Sequence, residues 1–142
     1  PNRELQLESL GKLQIPLLGG TLRKLSQKMA TSSPRIVGEE VVGGVKTYRI
    51  ESATEKKDDK LTTRTWWVAP DRSYLILKQQ TDVKNEKPNS SLNSYRNVYV
   101  VDKIEQINGT WIPINSRNLN FTTPRGASEL WEGVFRWSVI SI

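Results

Sequence analysis

The sequence predicts a mainly β fold, a curved antiparallel meander of about seven strands preceded by one or two short helices. Three observations predict it: segments of alternating residues follow one another after Pro34, tight-turn signals separate them, and aromatic residues share one parity of the last segment. A twisted sheet of this length must close, pair with a second sheet or curl over helices. The single clear helix and the aromatic parity of the last strand favour a curved sheet with a helix in its concavity.

We expect the 142 residues to form a single domain, with residues 1–33 as a helical and loop lead-in and residues 34–142 as the sheet. Pro16 interrupts a first leucine-containing stretch. Thr21 is placed to cap a short helix that ends before Pro34. Its apolar stripe, which we interpret as core packing, comprises Leu22, Leu25 and Met29.

Two strands and a charged connection are predicted after Pro34. Arg35–Val42 alternates as a strand, and Val45–Glu55 returns along it. Gly43-Gly44 is a two-residue hairpin turn, because glycine accepts the positive φ that such turns require. Lys56–Lys60 reads as a solvated connection rather than a binding patch, because aspartates interrupt its lysines.

The central hairpin comprises Thr62–Ala69, a Pro70-Asp71 turn and a strand that begins at Tyr74 and fades near Lys84. Trp66 and Trp67 are adjacent on its first strand. Since successive side chains of a strand point to opposite faces, one indole must lie on each face of the sheet. Both faces are therefore expected to be covered.

The last strands follow a polar loop at residues 85–91. Leu92–Ile107 is a long strand with room for a bulge, and Asn108-Gly109 predicts a type I′ turn into Thr110–Phe121. A further loop at residues 122–126 precedes the final strand, Ser128–Ile142. One parity of that strand carries Trp131, Phe135, Trp137 and Val139.

The composition excludes several function classes. The chain contains no Cys and no His, so it has no disulfide, no thiolate zinc site and no histidine base. Its serines lack a histidine to activate them, and we expect no cofactor and no enzymatic activity. The chain contains no run of about 18 apolar residues, so no transmembrane helix is predicted. The net charge of +6 permits anionic partners without selecting one.

The aromatic residues, five Trp, four Tyr and two Phe, leave three interpretations open. They could fill the core, line an apolar cleft for acyl chains, or stack nucleobases between basic residues. No compact aromatic-basic consensus of a nucleic-acid binder is present, so nucleic acid is not the expected partner.

One succession of motifs adds a family resemblance. It begins at Gly38 and continues through Val41-Val42-Gly43-Gly44-Val45 and Tyr48-Arg49-Ile50. Trp66-Trp67-Val68-Ala69-Pro70-Asp71-Arg72-Ser73-Tyr74 follows, then Tyr99, then Asn108-Gly109-Thr110-Trp111-Ile112-Pro113. This order resembles the C-terminal two-thirds of the outer-membrane lipoprotein-sorting proteins, the superfamily of the lipoprotein carriers LolA and LolB.

The resemblance implies a LolA-like half-barrel, an incomplete antiparallel barrel wrapped over helices, with an apolar groove for lipid or lipoprotein acyl chains. It implies transport of such ligands in the periplasm or cell envelope; the chain opens at Pro1, so an export signal could have been removed from it. The candidate lining residues are Trp66, Trp67, Leu75, Leu77, Tyr99, Trp111, Trp131, Phe135 and Trp137.

Two rival functions are kept open beside the lipid carrier. An interaction module of an envelope assembly would bind another protein through sheet edges and an aromatic face. A binder of polyanions or nucleic acid is supported by the net charge alone.

Overall fold

A computed structural model describes residues 30–89, 92–124 and 131–138. The helices predicted before Ala30 lie outside the described residues, as do the ends predicted for the last strand at residues 128–130 and 139–142. Ala30 and Thr31 are helical and lead directly into the sheet.

The described chain is almost entirely β-structure. Its strands are β1 (Arg35–Val42), β2 (Val45–Glu51), β3 (Glu55–Lys57), β4 (Lys60–Ala69), β5 (Leu75–Asn85), β6 (Leu92–Ile107), β7 (Thr110–Pro124) and β8 (Trp131–Ser138). They form one antiparallel sheet in the order β1-β2-β4-β5-β6-β7-β8, with β3 paired to β4. The sheet is open, because β1 and β8 lie at its two ends. The predicted antiparallel meander is therefore confirmed.

Strand β3 corrects the prediction of a charged connection over Lys56–Lys60. Glu55–Lys57 pairs with β4, and Asp58 and Asp59 form the turn between them with φ of 49° and 60°. Asp tolerates this left-handed conformation better than most residues do. The charged side chains therefore lie on a short hairpin. The charge pattern alone does not predict this hairpin.

Two hairpin turns follow the prediction closely. Gly43 and Gly44 have φ of 57° and 79°, and Asn108 and Gly109 have φ of 50° and 81°. Positive φ at both central residues is the requirement of the type I′ turn. Strand β7, however, continues through Pro124 where a loop is predicted after Phe121, because Thr122 and Thr123 keep pairing with β6.

Strands β4 and β5 carry the central hairpin and its bulge. Trp66 is paired with Ile50 and Gln79, whereas Trp67 is paired with Arg49 and Lys78. Directly paired side chains share a face, so the prediction of one indole on each face is confirmed. The register shifts after Trp67, which leaves one residue of β5 unpaired in a β-bulge.

Two apolar clusters form the core of the described sheet. The first comprises Ile50, Trp66, Val68 and Ile76, with Ile36, Tyr48 and Tyr74 packed against it. The second comprises Ala69, Leu75, Leu77 and Val101, with Val42, Val45, Tyr99, Ile104 and Trp111 packed against it. Consecutive residues of β4, Val68 and Ala69, thus contribute to different clusters, as strand alternation requires.

No helix in the described part of the chain is long and apolar enough to cross a membrane.

Candidate ligand-binding site

The second cluster gathers four of the predicted lining residues, and we call it the Tyr99–Trp111 surface. Leu75 and Leu77 are buried, and Tyr99 and Trp111 are half-buried against them. The two leucines therefore support the surface from beneath, and its accessible part consists of half-buried side chains, two of them aromatic rings with polar atoms. Such a combination suits a ligand that has an apolar part and a polar part.

The turn between β4 and β5 sets the position of these leucines. Pro70–Arg72 forms a single 3₁₀ turn, and Ser73 and Tyr74 then adopt φ of 54° and 59°. The left-handed conformation is unfavourable for a bulky residue, and packing of Tyr74 against the first cluster accompanies it. The two left-handed residues direct the chain into β5, where Leu75 pairs with Ala69.

Arg72 places a cation at the border of the Tyr99–Trp111 surface. Its Cζ lies 4.2 Å from the centroid of the Trp111 ring, which is the geometry of a cation–π contact. Its Nη1 donates to the carbonyl oxygen of Asp71 over 3.1 Å, whereas its Nε is buried and has no hydrogen-bond partner among the described residues. The guanidinium consequently provides positive charge beside an apolar surface.

Trp66 belongs to the first cluster and not to the Tyr99–Trp111 surface. Its side chain is fully buried, and its Nε1 has no partner in the described part of the molecule. Such an orphaned donor is uncommon in a protein interior, since its desolvation is not compensated. In this conformation, Trp66 contributes packing rather than accessible surface.

Trp67 lies in a polar network on the face of β4 opposite to Trp66, which is the face that also carries Ala69. Its Nε1 donates to Glu40 Oε2 over 2.7 Å, and Lys78 Nζ lies 4.1 Å from its ring centroid. Arg49 Nη1 donates to Glu40 Oε1 over 2.8 Å. The indole hydrogen bond, together with Arg49, holds the pKa of Glu40 below its usual value, although partial burial opposes the shift.

The three aromatic candidates of β8 are placed by backbone register alone. Trp131 lies opposite Thr122, Phe135 opposite Asn118, and Trp137 opposite Ser116. These positions put β8 at the far end of the sheet from β1, beyond β7. For these three residues the structure describes the backbone and not the side chains.

Several contributors to the surface are absent from the sequence-based candidates. Val42 and Val45 flank the Gly43-Gly44 turn, and Ile104 comes from β6. Their place in this cluster depends on the pairing register of β1 and β2 and on the bulge in β5, which alternation does not specify. Arg72 directly follows the predicted Pro70-Asp71 turn, and its contact with Trp111 distinguishes it from a solvated charge.

The acidic side chains of the described residues are dispersed along the sheet. No group of three or more acidic side chains there could hold a metal ion. Several carboxylates pair with nearby cations, as Glu39 does with Lys46 and Asp102 with Arg117.

No family model matches this chain, and no curated protein or solved structure shows significant similarity to it. The geometry of the described residues is therefore the basis for any functional conclusion.

Proposed function

We propose that this protein is a non-enzymatic binding domain of the cell envelope that holds lipid or lipoprotein acyl chains on the Tyr99–Trp111 surface. One observation carries the proposal: half-buried aromatic rings pack against buried leucines, with the Arg72 guanidinium stacked on Trp111. An acyl chain would lie against the half-buried apolar residues above those leucines, and an anionic head group beside Arg72. Each methylene removed from water contributes about 0.8 kcal/mol to binding.

The finer architecture belongs to the same proposal. We infer that the open sheet curls as a LolA-like half-barrel over the helical lead-in, with the acyl-chain groove on its concave side. The motif resemblance and the antiparallel meander order support this inference. Transport of lipid or lipoprotein between envelope membranes would be the corresponding activity.

Displacement of a fluorescent fatty acid tests the proposal. Dansyl-undecanoic acid should bind at micromolar protein, and oleate should displace it. Trp111→Ala should weaken binding about tenfold, equivalent to about 1.4 kcal/mol, because one border of the surface is lost. Arg72→Gln should weaken binding of oleate but not of uncharged monoolein, since only the carboxylate attracts the guanidinium.

Tyr95→Ala is the matched control, because Tyr95 is an exposed aromatic residue outside the two clusters. It should leave fatty-acid binding unchanged. Failure of the fluorescent probe to bind, or equal weakening by Tyr95→Ala and Trp111→Ala, would refute the proposed lipid site.

A protein-interaction module is the second candidate, and the open sheet favours it. Strand β1 pairs with β2 on one side, and no described strand pairs with its other side. Its Val41 side chain is 70 % exposed. An extended segment of another protein could add to such an edge through main-chain hydrogen bonds.

Size-exclusion chromatography with and without lipid separates the two candidates. A lipid carrier should elute as the same species before and after delipidation. An interaction module should elute as a larger complex with its partner, whether lipid is present or not.

A further inference from the structure

Three asparagine side chains form a ladder across β6 and β7, and we call them the carboxamide ladder. Asn97 Nδ2 donates to Asn118 Oδ1 over 2.8 Å and to Asn120 Oδ1 over 2.6 Å. Asn97 lies directly opposite Asn120 in the register, with Asn118 on the adjacent diagonal. All three side chains are half-buried.

The ladder has more hydrogen-bonding capacity than it uses. Both hydrogens of Asn97 Nδ2 are committed, which fixes the orientation of the other two amides. The Nδ2 groups of Asn118 and Asn120 have no acceptor among the described residues, and Asn97 Oδ1 has no donor there. None of these atoms is among the fully buried side-chain atoms that lack a partner in the described part of the chain, so donors and one acceptor are held in fixed positions on a half-buried face that a ligand can reach.

The residues around the ladder are polar, aromatic and charge-balanced. The register places Arg64, Thr81, Asn97 and Asn120 in one row across β4 to β7. Arg64 Nη1 donates to Glu55 Oε2 over 2.9 Å, so its charge is neutralised locally. Tyr95, two residues before Asn97 on the same face, is 41 % exposed.

We propose that the carboxamide ladder binds the hydroxyl groups of a neutral oligosaccharide, with the Tyr95 ring against the apolar face of one sugar. Sugar hydroxyls both accept and donate hydrogen bonds, which matches the Nδ2 groups and the Asn97 Oδ1 that have no partner among the described residues. An exposed tyrosine supplies an apolar ring with a polar end. This site adjoins the Tyr99–Trp111 surface, because Asn118 pairs directly with Tyr99, but it does not depend on the proposed lipid-binding function.

Charge distinguishes this ligand from a nucleic acid. Affinity for nucleic acids comes largely from cations that neutralise phosphates. The row through the ladder contains one cation, Arg64, and Glu55 already pairs with it. A neutral ligand therefore fits this face better than a phosphodiester does.

Isothermal titration with maltohexaose, cellohexaose and N-acetylchitohexaose tests the proposal. At least one of these should bind at millimolar or lower concentration. Asn118→Ala and Asn120→Ala should each weaken that binding about fivefold, because each removes a hydrogen-bond donor. Asn115→Ala, an exposed asparagine on the same strand, is the matched control and should bind as the wild type does.

Circular dichroism confirms that each variant is folded, and Tyr95→Ala provides a second test on an exposed side chain that should not unfold the sheet. It should also weaken saccharide binding. Absence of binding to all three saccharides would overturn the proposal. So would equal effects of Asn115→Ala and Asn120→Ala, or displacement of a bound saccharide by oligo-dT, which would indicate a nucleic-acid site.

Discussion

Glu40 connects three strands through a single carboxylate. It lies on β1 and accepts hydrogen bonds from Arg49 on β2 and from Trp67 on β4. Adjacent Glu39 instead forms an ion pair with Lys46 at 2.9 Å, with both side chains at least half exposed. Two neighbouring glutamates therefore have different roles: Glu39 is solvated, as a surface charge usually is, whereas Glu40 anchors a buried indole.

The lowered pKa of Glu40 predicts a specific loss of stability in acid. A group whose pKa is lower in the folded state stabilises the protein above its unfolded pKa, and this contribution disappears as the pH falls through the folded pKa. The contribution of Glu40 should therefore be complete above about pH 4.5, the ordinary value, and be lost below it. Glu40→Gln should cost about 0.5–1 kcal/mol at pH 7 and much less at pH 3.

Urea unfolding of both proteins at the two pH values measures this difference. Glu39→Gln is the control, and it should change stability little at either pH because its ion pair is exposed. A stability difference between wild type and Glu40→Gln that stays constant from pH 7 to pH 3 would contradict the role assigned to the carboxylate.

Unlike Glu40, Trp66 contributes to stability through packing, because its indole nitrogen has no hydrogen-bond partner among the described residues. Trp66→Ala should destabilise the protein by about 3–5 kcal/mol, since it opens a large cavity among Ile50, Val68 and Ile76. Trp111→Ala should cost less, because Trp111 is half-buried. Thermal unfolding of the two variants compares them, and equal losses would show that the first cluster is not the main core.

Side-chain roles of this kind were only partly predictable from the sequence. Strand alternation places Trp66 and Trp67 on opposite faces without further information. It does not show that the first meets aliphatic residues and the second meets Glu40 and Lys78. Those contacts depend on which strands pair and in which register, and single-sequence patterns do not fix the register.

At the scale of elements, turns are the best-predicted part of the fold. Gly43-Gly44 and Asn108-Gly109 form hairpin turns where the sequence indicates them, because few residues accept the required φ. The sequence predicts a solvated connection where the structure has a hairpin at Asp58-Asp59, because strand β3 is only three residues long and wholly charged. Pairing with β4, and not intrinsic preference, makes this segment a strand.

Gly109 and Gly38 provide a direct test of the backbone argument. An added Cβ would meet nothing within 4 Å at either position, but only Gly109 has a positive φ, +81°. Gly109→Ala should therefore cost about 1–2 kcal/mol through backbone strain alone. Gly38→Ala should be neutral or slightly stabilising, because it restricts the unfolded chain.

Chemical denaturation of the two variants measures this contrast. If Gly109→Ala were as stable as Gly38→Ala, the Asn108-Gly109 turn would not adopt the type I′ geometry in solution.

The whole molecule is organised around β4 and β5. Both strands contribute to both apolar clusters, whereas β1 lies at one end of the sheet and is half-buried at most. Amides of β4 and β5 should therefore exchange with solvent most slowly, and those of β1 much faster. Hydrogen-exchange mass spectrometry resolves the two regions, and equal protection would mean that the sheet opens only as one unit.

The meander order itself was predictable, whereas the site was not. Successive alternating segments joined by short turns leave antiparallel neighbours as the simplest arrangement. The Tyr99–Trp111 surface requires the β5 bulge, the left-handed Ser73 and Tyr74, and the approach of Val42 and Val45. These features arise from the twist and local distortion of the sheet, which no residue pattern encodes separately.

Pairing between chain neighbours also affects how this molecule reaches its native state. Every strand from β4 onwards finds its partner one turn or loop away, and only β2 must cross a short insertion to reach β4. Short connections reduce the entropy lost when each ladder first closes, whereas the long β6–β7 ladder also brings together residues far apart in the chain, such as Leu92 and Pro124. During synthesis, each hairpin should therefore form soon after both of its strands leave the ribosome, and among the described strands the outer sides of β1 and β8 are the edges that stay open to another chain.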